Sequence, residues 1–366
     1  MTGFSRRSLF RSMLATGAAL PFQGEFALAQ LSMVADAPPD AVMINANENP
    51  MGPCPEAAEA IRNVIPKGGR YMWHQAGVLE GTLAEQEGVK PSNVLAYAGS
   101  SMPLHHAVLA FTGPNKSFVT GDPGYEAGEH AAAFIGAKVH RVPLCPDYSH
   151  HVRKMAAADP KAGLIYICNP NNPTGTLTSR ADLEWLVANK PAGCVVMIDE
   201  AYIHIAGNQP STDFVAADKD VIVLRTFSKL YGMAGLRAGA AIARPDLLEK
   251  IRPYSAGALP VTGLVGATAS LRAKNVVPER RKIIKDIRED TLAFLDKHSF
   301  KYVPSVSNKF MLDSGRPGRE VIRAMAAQKV YIGRVWPSWP TYVRVTVGTR
   351  EDMSRFKDAW LRVMSA

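Results

Sequence analysis

The sequence predicts an α/β protein: a large domain on a mainly parallel, buried sheet, followed by a smaller α+β domain. Three observations carry this. Between residues 56 and 255, short apolar runs alternate with helical segments, the pattern of strands covered on both faces. After about 255 one long, charge-rich helical stretch precedes isolated strand-like runs, a segregated α+β arrangement. The length of 366 residues corresponds to about two domains at roughly 150 residues each.

The elements follow in order. Residues 30–55 carry five prolines, Pro38, Pro39, Pro50, Pro53 and Pro55, and read as an extended, irregular N-terminal arm. The large domain spans 56–255. It opens with a short helix over 56–65, ended by Pro66, and a second helix over 78–88. A strand over 93–97 leads to a helix over 101–111. Further strands fall at 117–120, 137–142, 163–168, 194–198 and 221–224, with helical segments at about 125–135 and 178–189 between some of them. The small domain, 256–366, begins with the long helix from Val276 towards Lys297. Strands at 310–312 and 342–347, a helix at about 318–328 and a C-terminal helix from Glu351 complete it.

Composition narrows the function. The chain is 47% hydrophobic and 20% charged, which excludes a wholly disordered protein. No apolar run reaches the length of a membrane span. Four cysteines exclude a disulfide-built fold. The charge of +9, from 42 basic and 33 acidic residues, is scattered rather than clustered, so it reads as a solvated surface favouring small anions and not as a nucleic-acid site. No metal-ligand spacing, P-loop, GxSxG or GxGxxG is present; the adjacent pairs His105-His106 and His150-His151 diverge, and Glu126 and His130 lack a third ligand. Residues 1–29 read as a targeting segment: Arg6-Arg7 within Ser-Arg-Arg-x-Leu-Phe, a short apolar stretch, and the Ala27-Leu28-Ala29 site. This resembles a bacterial twin-arginine signal peptide, which implies periplasmic export.

Ligands of open α/β sheets gather at the carboxyl ends of strands. The run 164–168 is followed by Asn169-Pro170-Asn171-Asn172-Pro173-Thr174-Gly175. The run 195–198 is followed by Asp199-Glu200-Ala201-Tyr202, and the run 221–224 by Arg225-Thr226-Phe227-Ser228-Lys229, then Gly232, Gly235 and Arg237. An amide, a carboxylate with a phenol, and an amine with hydroxyls are thus presented together. Each alone has an ordinary reading, as a turn, a helix cap or a surface lysine.

In this order the motifs resemble those of the fold-type I pyridoxal-phosphate aminotransferases, most closely the histidinol-phosphate aminotransferase branch. The resemblance runs from Asn47-Glu48-Asn49-Pro50-Met51-Gly52-Pro53 to Arg344-Val345-Thr346-Val347-Gly348-Thr349. It implies a seven-stranded sheet, pyridoxal 5′-phosphate as cofactor, an amino donor and a 2-oxo acid as substrates, and a homodimer with shared sites. It also implies the roles. Lys229 forms the Schiff base with the cofactor aldehyde and shuttles the proton. Asp199 faces the pyridine nitrogen, Tyr202 and Asn172 bind the ring oxygen, and Tyr125 stacks on the ring. Ser100 and Ser101, at a helix start, with Thr226, Ser228 and Arg237, hold the phosphate. Tyr71 reaches the phosphate of the neighbouring subunit. Arg344 grips the substrate carboxylate, and Arg334 is a second anion-binding arginine.

The sequence departs from the branch at Ser101-Met102-Pro103, at Tyr71-Met72-Trp73 and in the inserted Trp336-Pro337-Ser338-Trp339-Pro340, all where the substrate side chain is expected. Two rival readings use the same residues: another pyridoxal-phosphate reaction, such as decarboxylation or cyclisation, and an exported binding protein without turnover.

Overall fold

A computed structural model describes residues 37–255 and 257–365. The twin-arginine motif and the cleavage site at residues 27–29 lie outside the described residues. Eleven strands occur among the described residues: β1 (Val42–Ile44), β2 (Val94–Tyr97), β3 (Ser117–Asp122), β4 (Val139–Pro143), β5 (Ala162–Cys168), β6 (Val195–Asp199), β7 (Val221–Thr226), β8 (Gly239–Ala243), β9 (Lys309–Asp313), β10 (Val330–Ile332) and β11 (Tyr342–Thr346). Seven of them build the central sheet in the order β2-β8-β7-β6-β5-β3-β4. Its neighbours are parallel from β7 through β6, β5 and β3 to β4, and only β8 runs against them.

Every residue of β5, β6 and β7 is buried, which is why they read as unbroken apolar runs rather than alternating ones. Because β8 is antiparallel to both β2 and β7, the carboxyl ends of β2, β5, β6 and β7 share one edge of the sheet. That edge gathers the motifs. The helix Ser101–Phe111 starts there, directly after β2.

Strand β8 escaped the sequence reading because Gly-Ala-Ala-Ile-Ala lacks the bulk of its neighbours. Its small residues have a steric cause. A Cβ at Gly239 would stand 2.6 Å from the Gly99 carbonyl carbon and 2.7 Å from the Arg225 oxygen, so the Gly99 loop can cross here only over glycine. The arm also holds more order than expected: Val42 and Ile44 are buried and β1 pairs with β10 in parallel. Three residues are too few for an alternation to show. Beyond residue 256, the helix Val261–Arg272 packs on the helices Pro55–Val64 and His74–Glu87 of the large domain, while β9 pairs antiparallel with β11. No helix among the described residues is long and apolar enough to cross a membrane.

One buried ion network ties the carboxyl edge of the sheet to the core. Arg225, near the end of β7, donates from Nε and Nη2 to the two Glu87 oxygens at 2.7 and 2.8 Å, and from Nη1 to Glu200. All three side chains are almost fully buried. Burial would raise the Glu87 carboxyl, but the Arg225 cation overcomes it and holds that carboxyl below its ordinary value. Removing one partner of such a network strands a buried charge, at a cost of roughly 3–5 kcal/mol. The ends of β6 and β7 are therefore fixed relative to each other and to the helix His74–Glu87.

Candidate active site

A cavity of about 380 Å³ opens at the carboxyl edge of the sheet. It is lined by Ser100, Ser101, Tyr125, Asn172, Asp199, Tyr202, Thr226, Ser228, Lys229, Arg237, Arg334 and Arg344, so every expected site residue except Tyr71 comes to one place. Tyr71 stays 71% exposed on the surface, its ring 5.2 Å from that of Trp73, away from the cavity of its own chain.

On the anion side, Gly99 has φ +89, and a Cβ there would lie 2.2 Å from Arg237 Nη2. Arg237 itself takes a left-handed φ of 56, a conformation that costs a non-glycine residue of order 1–3 kcal/mol. Its guanidinium donates to Ser228 Oγ at 3.4 Å and to the Ala234 and Ala98 carbonyls at 2.9 and 3.1 Å. Thr226 Oγ1 donates to Ser228 Oγ at 2.9 Å. Together with the free N–H groups that open the helix Ser101–Phe111, these form a cup for a phosphate.

At the centre, Asp199 is 3% exposed. It accepts from Tyr166 Oη at 2.9 Å and from the Ala201 N–H at 3.1 Å. Desolvation pushes its carboxyl up to about 6, against those two hydrogen bonds. Lys229 faces the same cavity. Desolvation, with the Arg344 cation next, brings its amine down to about 8. Tyr202 Oη accepts from Asn47 Nδ2 at 3.1 Å, which leaves the phenol proton to donate elsewhere. Asn172 Oδ1 accepts from Asn47 Nδ2 at 3.4 Å and from Arg344 Nη1 at 3.0 Å, which leaves its amide N–H₂ as a donor. Asn47 organises both from a positive φ of 54. Tyr125 Oη meets Ser101 Oγ at 3.3 Å.

The two arginines part company. Arg344 Nη2 donates to the Asn45 carbonyl at 2.7 Å; desolvation and the Arg334 cation lower it to about 10, still charged at neutral pH. Arg334 is ion-paired with Glu126 and lies over the Trp336 ring at 4.6 Å. Glu126 lines the cavity beside His130. The inserted Trp336 is buried and donates from Nε1 to the Gly124 carbonyl at 2.8 Å, so the insertion braces the segment that carries Tyr125 and Glu126.

The profile of the aminotransferase class I and II family matches residues 39–359. The chain belongs to the class I and II aminotransferases. A histidinol-phosphate aminotransferase of Moorella thermoacetica is 32% identical over 337 residues, 89% of this chain and 86% of that protein. An aromatic amino acid aminotransferase of Nocardia farcinica is 34% identical over 329 residues, 87% of this chain and 90% of that protein. A solved histidinol-phosphate aminotransferase from Sinorhizobium meliloti, in complex with pyridoxal-5′-phosphate, superposes with a TM-score of 0.85 at 24% identity, covering 100% of this chain and 99% of that one, so the fold is that of fold-type I aminotransferases. The cavity of this aminotransferase fits the cofactor: an anion cup, a buried carboxylate for a ring nitrogen, two donors for a ring oxygen and an amine for an aldehyde.

Some working residues were not singled out in the sequence. Asn47 lay inside a quoted motif without a role. Tyr166 is hidden in an apolar strand, two residues before Cys168, whose register partner is Asp199. Glu126, four residues before His130, reads by spacing as half of a metal-type pair, whereas its partner is Arg334.

Capture of an aldehyde requires the neutral amine. With the Lys229 amine at about 8 instead of 10.5, the cofactor-free protein should take up pyridoxal phosphate about tenfold faster per pH unit below roughly pH 8, then level off. Stopped-flow absorbance reads this; a rate that keeps climbing tenfold per unit to about pH 10 would contradict it.

Proposed function

We propose that this aminotransferase acts on amino acids whose α-carboxylate docks on Arg344 and whose side chain is uncharged, with room for an aromatic ring, rather than on a phosphorylated amine. The observation that carries this is the Arg334–Glu126 ion pair. A second anion site needs an unengaged cation, and here that cation already has a carboxylate and an indole face. Arg344 also lies over the Trp336 ring, at 5.5 Å, but it has no carboxylate in an ion pair among the described residues: its hydrogen-bond acceptors are Asn172 Oδ1 and the Asn45 carbonyl, and it is buried, so an arriving carboxylate supplies a counter-charge. Relatives named for aromatic amino acids are as similar as those named for histidinol phosphate, which supports the reading.

The residues divide the work. Arg237, Ser228, Thr226, Ser100 and Ser101 would hold the cofactor phosphate, and Tyr125 would pack on its ring. Asp199 would serve the ring nitrogen, and Tyr202 and Asn172 would donate to the ring oxygen. When bound, pyridoxal phosphate supplies an electron sink for the pair left at the substrate α-carbon. The Lys229 amine would anchor the cofactor and, once free, could accept the substrate α-proton and hand it back. Arg344 fixes the carboxylate so that the α-hydrogen faces Lys229.

A charge-assisted hydrogen bond is worth about 1.5–3 kcal/mol, and lysine lacks the guanidinium fork. Arg344→Lys should therefore lose roughly 10–150-fold in kcat/KM for amino acid donors, while amide derivatives of those donors, already poor, change little. Equal rates with and without the substitution would sink the assignment.

Two further parts of the reading concern the whole protein. The Arg6-Arg7 motif and Ala27-Leu28-Ala29 support twin-arginine export. The exposed Tyr71, with Trp73 at 62% and Met102 at 37% exposure, supports a homodimer in which Tyr71 reaches the partner's phosphate cup. Protein recovered from the periplasm of the producing cell should begin after Ala29 and have twice the chain mass by light scattering; a full-length cytoplasmic monomer would refute both.

A further inference from the structure

We propose that Lys309 is a positioning residue that tunes the cofactor site through Tyr202, its amine resting against the phenol ring. Lys309 opens β9 and is 0% exposed, which is rare for a lysine. Its Nζ lies 3.1 Å from the Tyr202 ring centroid and donates to Ser307 Oγ at 2.9 Å. Tyr202 lines the cavity and Lys309 does not, and the Lys229 amine lies 5.8 Å from the same ring centroid.

The surroundings form one connected cluster. Lys309 pairs with Thr346 across β9 and β11. Thr346 Oγ1 accepts the Asn47 N–H at 2.9 Å and donates to Asn47 Oδ1 at 3.1 Å, and Asn47 in turn donates to Tyr202 Oη. The phenol is therefore gripped at its oxygen by Asn47 and on its face by Lys309. The charged and titratable groups around the Lys309 amine are Cys168, Arg344, Lys229, Asp199 and Tyr202 itself. Burial holds the amine well below the ordinary lysine range, with Arg344 and Lys229 acting the same way and Cys168 and Asp199 against it. An aliphatic side chain would fill this space without the cost of burying an amine; the amine here has two contacts, the Ser307 hydroxyl and the Tyr202 ring, and the second is the one that reaches the cavity lining.

An N–H group directed at an aromatic face draws on its π density. The phenol becomes a better donor, and its hydrogen bond favours the form of the cofactor in which the ring oxygen keeps its negative charge and the neighbouring nitrogen has lost its proton. Removing the amine should shift the balance back. The inference rests on the cofactor reading above.

The experiment follows the visible absorbance of the bound cofactor against pH in the holoenzyme. Lys309→Met should raise the midpoint of that transition by roughly 0.3–1 pH unit, and Lys309→Gln by less. In a Tyr202→Phe background the same substitutions should move nothing further. An unchanged midpoint in whichever variant folds, or the same shift with and without the Tyr202 hydroxyl, overturns the proposal. If neither variant folds, Lys309 is structural and the proposal falls as well. A wild-type protein that binds no chromophore would instead fail the cofactor reading.

Discussion

The Asp199 carboxylate sets the terms for the rest of the site. It sits at the end of a central strand, buried, with no ion pair among the described residues, and two hydrogen bonds leave it raised to about 6. A buried charge without a counter-charge is unfavourable. The next residue shows the alternative. Glu200 points to the other face, as consecutive strand-end residues do, and is neutralised by Arg225. One carboxylate of the pair is spent on locking β6 to β7, and the other is left wanting a cation. A protonated pyridine nitrogen would supply one, and the same negative charge would keep that nitrogen protonated.

The remaining groups are consistent with a site built around an incoming ring. Desolvation that raises Asp199 also lowers Lys229 to about 8, so the acid and the amine are both brought towards neutral pH by one environment. Strain is placed where it serves geometry: Asn47 and Arg237 hold left-handed backbones, and each sends its side chain to a ligand-facing partner. On the far side of the cavity, Trp336 braces Gly124 and underlies Arg334, so the Trp336–Pro340 segment shapes the part of the cavity lined by Tyr125 and Glu126.

Much of this was legible in the sequence, for a physical reason. Strands buried on both faces must be apolar, so β5, β6 and β7 stand out, and the polar groups that follow them mark the functional edge. The helix over 101–111 and the long helix from Val276 were equally plain. What escaped depended on contacts distant in sequence. β8 is small because the Gly99 loop crosses it. β1 is defined by a partner nearly 290 residues away, in the Val42↔Val330 pairing. The work of Arg225 requires knowing that Glu87 and Glu200 converge on it. Arg334 keeps its place in the cavity, but its charge is committed to Glu126, and no local pattern announces such a pair. Lys309 looks like a surface residue starting a strand until the sheet buries it.

Asp199→Asn tests the central claim most directly, because it separates stability from catalysis. The raised carboxyl means that the ionised form weighs against the folded cofactor-free protein above about pH 6, and that this burden lifts as pH falls towards 3.8. The variant should thus match or exceed the wild type in urea midpoint at pH 8, by up to roughly 3 kcal/mol. Its single-turnover amino transfer should fall by about 10²–10³-fold, the usual loss on removing one aligned electrostatic group. Near-normal turnover in a folded, cofactor-loaded Asp199→Asn protein would contradict the account.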